Sequence, residues 1–159
     1  LPALPDIHSP PGDADGVLSI PHPHTMADAR AWLSRIRAAA AEGRLNFIWL
    51  ICLIDTGEPI GDCGIHIDLK HRRGVLGYLI RPDHWGKGYV TEALRPVISH
   101  CFASLNPPLN RIEADHYIEN PASGRVLEKL GFQREGVLRS YIVKDGAPRD
   151  VVRWGLLRG

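Results

Sequence analysis

Apolar side chains recur at Val90, Ala93, Leu94, Val97, Ile98, Cys101 and Phe102, which is the i, i+3, i+4, i+7 spacing of one helix face. The position of that helix constrains the fold more than any other feature. Before it lie three apolar runs separated only by short turns, and after it, past Asn106-Pro107-Pro108, comes a fourth run from Arg111 to Ile118. Strands joined by short turns run antiparallel, whereas a strand–helix–strand step returns the chain parallel to itself. The sheet is therefore expected to be mixed, mostly antiparallel with one parallel crossover. Pro96 falls inside the helix, where a missing N–H forces a kink or a strained place.

The remaining elements follow from local pattern. Leu45 to Ile54 is almost wholly apolar and β-branched or aromatic, which suits a strand covered on both faces. After the turn Asp55-Thr56-Gly57-Glu58-Pro59, Cys63, Ile65, Ile67 and Leu69 alternate with polar residues in a second strand, Ile60 to Leu69. The charged turn Lys70 to Gly74 leads to a third strand, Val75 to Ile80. Asn120 as N-cap, Pro121 at the first helical position and Gly131 just past the end punctuate a short helix with Val126, Leu127 and Leu130 on its apolar face. Phe132 to Val143 and Val151 to Leu157 are the closing strands, parted by Lys144-Asp145-Gly146. Ahead of all these, Thr25 can cap a helix carrying Ala29, Trp32, Leu33 and Ile36, which Gly43 ends. Six of the 13 prolines lie in residues 1–24, which read as an irregular Pro-rich arm. With no initiator Met and no signal-peptide pattern, the sequence reads as a trimmed chain. Residues 25–159 read as a single α/β domain, more closely α+β: a central mixed sheet flanked by helices, without internal repeat.

Composition excludes several classes. With 44% hydrophobic residues and 19 basic against 18 acidic side chains, the chain is neither disordered nor a bulk-charge nucleic-acid binder. Its longest apolar run, Phe47 to Ile54, is eight residues, far short of the roughly 20 that span a bilayer. Cys52, Cys63 and Cys101 lack metal-type spacing and read as buried free thiols in a reducing cytoplasm. His22-Pro23-His24 lacks a third ligand, so no metal is expected.

Chemistry concentrates in Arg81 to Glu92, between the third strand and the amphipathic helix. Gly86 and Gly88 leave backbone amides uncovered, and the helix start adds partial positive charge, together making a cradle for an anion such as phosphate. A plain strand-to-helix turn would have the same glycines. The stretch is neither a Walker loop nor a dinucleotide fingerprint. Trp85 and Tyr89 are placed to wedge the loop against the sheet.

The run Gly77-Tyr78-Leu79-Ile80-Arg81-Pro82 followed by Trp85 to Ala93 resembles the acetyl-CoA loop of the GNAT superfamily of N-acetyltransferases. It is most similar to the branch containing the ribosomal-protein N-terminal (alanine) acetyltransferases. Asn120-Pro121-Ala122-Ser123 with Leu127 to Phe132, and Glu135 to Arg139 with Asp145-Gly146 and Asp150, carry the likeness further, over about Thr25 to Leu157. The resemblance implies acetyl-CoA as co-substrate and a GNAT-like fold with the crossover at the cofactor site. Backbone amides of Gly86, Lys87, Gly88, Tyr89, Val90 and Thr91 would hold the pyrophosphate, Lys87 could pair with a phosphate, and Leu79 and Ile80 would face the pantetheine arm. Asn120 and Ser123 would bond that arm or the phosphates, although Asn120 is equally a helix cap.

The resemblance further implies direct attack by an amine on the thioester within a ternary complex. An α-amino group is neutral about one time in ten at pH 7 and a lysine about one in 2,500, so a protein N-terminus needs less help than a lysine. Many relatives use a tyrosine in the second helix as acid, where this chain has Leu127, and often a glutamate where it has Val75. The remaining polar candidates are His116, Asp115 and Glu92. A strand histidine is more often structural, and Glu92 suits the helix dipole. Expected partners are an amine acceptor, on a peptide N-terminus or small molecule, and neither nucleic acid nor membrane. A homodimer is one arrangement that could complete the acceptor site. Two other readings are a catalytically silent acyl-CoA-binding module and a binder of some other phosphate ligand.

Overall fold

The structure, a computed structural model, describes residues 45–159. The expected first helix, the Pro-rich arm and the His22/His24 pair lie outside the described residues. Within them the order is β1 (Leu45–Cys52), β2 (Pro59–Asp68), β3 (Arg73–Ile80), a single 3₁₀ turn at Pro82–His84, α1 (Tyr89–Ala103), β4 (Arg111–Tyr117), α2 (Pro121–Lys129), β5 (Gln133–Lys144) and β6 (Ala147–Leu157). The strands form one six-stranded open sheet in the order β1-β2-β3-β4-β6-β5. Every pairing is antiparallel except β3 with β4, the crossover expected from the position of α1.

Alternation along the strands sorts the sheet into two faces. Cys63, Ile65 and Ile67 of β2, Leu76 of β3 and Ile112 and Ala114 of β4 are buried together with Val90, Leu94, Cys101 and Leu127 of the two helices. Leu94, Cys101 and Leu127 have no accessible surface. Helix α1 runs unbroken across Pro96, which sits on its exposed side, where water can satisfy the carbonyl that loses its partner. In α2, Asn120 Oδ1 accepts from the Ser123 amide at 3.3 Å and Pro121 occupies the first turn.

Two expectations are corrected. β1 is not covered on both faces: it is an edge strand whose Phe47, Trp49 and Ile51 pack inward, while Ile48 and Leu50 are 36% and 46% exposed. Its continuous apolar run concealed a half-buried strand. Cys52, on the outward side of that strand, is exposed rather than buried. Cys63 and Cys101 are buried as expected, and desolvation pushes their thiols up to about 12 and about 11.

One thiol per chain should therefore react promptly with Ellman's reagent in the native protein, and Cys52→Ser should remove that phase. The other two should react only after denaturant is added; rapid release of three equivalents would contradict the assigned burial. For the cap, Asn120→Ala should cost about 1 kcal/mol in urea unfolding while Asn120→Asp retains most of the stability.

Candidate functional site

The site begins where pairing stops. β3 and β4 pair only over Arg73–Leu76 and Arg111–Ala114, yet β3 continues to Ile80 and β4 to Tyr117. Beyond Leu76 and Ala114 the two parallel strands no longer share a ladder, and the facing backbone groups of that stretch are left for another partner. Tyr78 spans the opening: its hydroxyl lies 2.5 Å from Ser123 Oγ and 3.2 Å from the Ser123 carbonyl oxygen. Burial pushes the Tyr78 phenol up to about 12, with the Ser123 bond acting the other way.

The loop after β3 delivers a bare helix end to the same place. Trp85 Nε1–H donates to the Ile80 carbonyl at 2.9 Å, pinning the loop to the strand while its ring stays more than half exposed. Gly86 and Gly88 have φ of 73° and 86°, in the left-handed region where a side chain costs about 1–2 kcal/mol. A Cβ at either position would meet nothing within 4 Å, so backbone conformation rather than crowding demands glycine. Gly88 is the N-cap of α1, and no side chain caps that helix. Its first-turn amides therefore lack an internal acceptor, and the helix dipole adds positive potential there. Such an end suits a phosphate oxygen.

These features open into one cleft of about 910 Å³. Its walls are Tyr78, Leu79 and Ile80 of β3, the loop and first turn of α1 from His84 to Thr91 without Lys87, and Tyr117, Glu119 and Asn120 beyond β4. Ala122, Ser123, Arg125, Val126 and Lys129 of α2 and Lys144, Asp145 and Arg149 of the β5–β6 hairpin complete it. Four cationic side chains against two carboxylates give the mouth a positive balance although the whole chain is nearly neutral. Arg149 lies 3.9 Å from Glu119, and Lys144 Nζ sits 5.5 Å from the Tyr117 ring centre.

Of the residues singled out from the sequence, Leu79, Ile80, Gly86, Gly88, Tyr89, Val90, Thr91, Asn120 and Ser123 line this one cleft. Lys87 is exposed on the loop and lies outside the lining. Asp115 and His116 are not in the lining either. Asp115 accepts two bonds from the Arg153 guanidinium, at 3.0 and 2.7 Å, and Tyr141 Oη accepts a third at 3.2 Å, which together hold Arg153 more firmly charged than usual. His116 is buried beneath α2: Nδ1–H donates to the Tyr117 carbonyl at 2.7 Å, and a Cβ on Gly124 would sit 3.0 Å from its Nε2. Leu127, fully buried, places no side chain in the cleft.

Several cleft residues were not singled out by sequence. Ala122, Arg125 and Lys129 share the i, i+3, i+7 spacing with Val126 of the apolar face beside them, so a helical projection of α2 would have shown this second face. Lys144 and Asp145 were visible only as a turn. Nothing local marks Arg149, which reaches the cleft through the β5–β6 pairing. Among the described residues, no cluster of three or more His, Cys, Asp or Glu is placed to hold a metal ion.

Comparison with known proteins agrees with this geometry. Residues 4–133 match the family described as the acetyltransferase (GNAT) domain. The chain is 40% identical over 122 residues, 76% of its length and 68% of the relative's, to the uncharacterized N-acetyltransferase YoaA of Bacillus subtilis. It is 38% identical over 77 residues, 48% of this chain and 39% of that one, to the [ribosomal protein uS5]-alanine N-acetyltransferase of Escherichia coli. Among solved structures, Mycobacterium smegmatis RimJ in complex with CoA-disulfide superposes with a TM-score of 0.72 at 33% identity. That match covers 84% of this chain and 63% of the other. The mixed sheet parted beside an uncapped helix end, with these matches, places the chain in the GNAT superfamily of N-acetyltransferases.

Proposed function

We propose that this protein transfers an acetyl group from acetyl-CoA to a primary amine in a ternary complex, the acceptor being a protein N-terminus or a small-molecule amine. The observation that carries this reading is the uncapped, glycine-led start of α1 opening onto the gap between β3 and β4. The donor set fits the co-substrate. Amides of Gly86 to Thr91 would take the pyrophosphate, with Lys87 on the same loop. The stretch of β3 past the end of its β4 ladder, at Leu79 and Ile80, would take the amide-bearing pantetheine arm, with Asn120 and Ser123 across the gap. Acetyl-CoA supplies an activated thioester: the amine nitrogen bonds to the acetyl carbon, the carbon–sulfur bond breaks, and CoA leaves as thiolate.

What this chain must add is a neutral amine in the right place. An α-amino group meets that need more easily than a lysine, and the E. coli relative is named a [ribosomal protein uS5]-alanine N-acetyltransferase. Asp115 and His116 remain candidates for proton handling through the residues they touch, Asp115 being held by Arg153 and His116 lying buried beneath α2. Three free cysteines fit a reducing cytoplasm, and no helix among the described residues is long and apolar enough to cross a membrane. A homodimer belongs to the same proposal, as a means of completing the acceptor site. A silent acyl-CoA-binding module is the second reading, favoured by the absence of any hydroxyl at Leu127.

CoA at 100 times its Kd should stabilise the protein by about 2.7 kcal/mol, seen as a raised Tm. Thiol release from acetyl-CoA should follow when amines are supplied. A raised Tm without turnover on any amine would select the silent module, and an unmoved Tm would remove both readings. Gly88→Glu, which sets bulk and negative charge at a left-handed N-cap, should abolish CoA binding; unchanged affinity would refute the loop assignment.

A further inference from the structure

The gap between β3 and β4 closes at Leu76 and Ala114, one residue along each strand from Val75 and Glu113, which lie outside the cleft lining. One row of side chains crosses the sheet at that closed end, on the face opposite α1 and α2. It runs Asn46, His66, Val75 and Glu113, as the registers Asn46↔His66, His66↔Val75 and Val75↔Glu113 place them. Directly paired residues on neighbouring strands have Cα atoms about 4.5–5.5 Å apart, so these side chains are in mutual reach.

The row contains two ionisable groups, and they differ in readiness. Glu113 receives Arg111 Nε at 2.8 Å and Arg73 Nη1 at 3.7 Å, so protonating it would break an ion pair. Along the same face Asp115 is committed to Arg153 in the same way. Among the described residues His66 carries no such charge partner. Its Nδ1 is hydrogen-bonded to Asn46 Oδ1, which can only accept; the proton is therefore on Nδ1, and Nε2 presents a lone pair. Desolvation lowers the pKa of His66 below its ordinary value, which favours the neutral ring. Other charged groups on this face are Asp62 and Asp68 of the same strand, Arg73 of β3 and Arg111 of β4; Asp68 is itself held by His71 and Arg73.

Resting on the transfer reading above, we propose that His66, oriented by Asn46, is the general base that accepts the proton of the acceptor amine. Nε2 takes the proton as the nitrogen bonds to the acetyl carbon, leaving imidazolium; CoA departs as thiolate and His66 returns its proton to solvent. Val75, paired with His66 on the neighbouring strand, gives the row an apolar member beside the imidazole. The acceptor then enters across Gly77, where a Cβ would meet nothing within 4 Å.

The test is the pH profile of kcat/KM with two acceptors, an alanine-initiated peptide and a lysine-like primary amine, whose own pKa values are about 7.7–8 and about 10.4. Wild type should show an acid limb below pH 6.5 that stays fixed when the amine is changed. His66→Gln should lose that limb and about 100-fold in kcat, with KM for acetyl-CoA and the CoA-induced Tm rise unchanged. Asn46→Asp, which sets a carboxylate against Nδ1–H, should move the limb upward. Retention of the limb in His66→Gln, or kcat within threefold of wild type, overturns the assignment of His66. Absence of turnover in wild type itself, with CoA still bound, overturns the transfer reading instead.

Discussion

Four residue pairs of parallel ladder hold β3 to β4, and the rest of the structure depends on where that ladder ends. A parallel pair is already the weaker kind of strand contact. Here it is short, because the strands part after Leu76 and Ala114 and α2 seats Ser123 against Tyr78 across the gap. The antiparallel pairings on either side are much longer, β1–β2–β3 on one flank and β4–β6–β5 on the other. The molecule is thus two antiparallel sheets joined at one end of a common seam. A slot at the other end follows from that arrangement without any cavity being carved into the core.

Much of this was legible in the residues. The strand–helix–strand step from Val75 to Ile118 required one parallel pair, and the pairing of β3 with β4 supplies it. Asn120, Pro121 and Gly131 bounded α2 because caps are local chemistry that needs no tertiary partner. Gly86 and Gly88 marked the loop for the same reason. The apolar run of β1 misled, since edge position is a property of the whole sheet and periodicity over eight residues does not encode it. Cys52 was misjudged with it. Registers were out of reach as well: that His66 stands beside Asn46 and Val75, or that Arg149 arrives at the cleft, depends on strand pairing and hairpin geometry.

Charge is arranged economically. A chain with formal net charge +1 lines the cleft with four cationic side chains, of which Arg149 lies near Glu119 and Lys144 over Tyr117, and with a helix end whose donors are backbone atoms. Elsewhere guanidinium groups are consumed locally: Arg111 by Glu113 and Glu135, Arg153 by Asp115, Arg81 by Glu58 and Asp83. Those pairs are partly exposed and each adds little stability. Their effect on the site is selective, because cations already held by carboxylates do not compete for the phosphate.

The two glycines that bracket the seam on β3 behave oppositely. A methyl group on Gly74, at the closed end, would fall 2.9 Å from Ile65 Cγ1 and 3.0 Å from Leu109 Cδ1, inside the packed core. On Gly77, three residues along, it would touch nothing among the described residues. Room for a side chain along this strand is accordingly one-sided. Position 74 is locked by the fold and diverges only if the core diverges with it, whereas position 77 can accept a side chain that resizes the slot. A single strand thus separates inheritance of the scaffold from adjustment of what the scaffold admits.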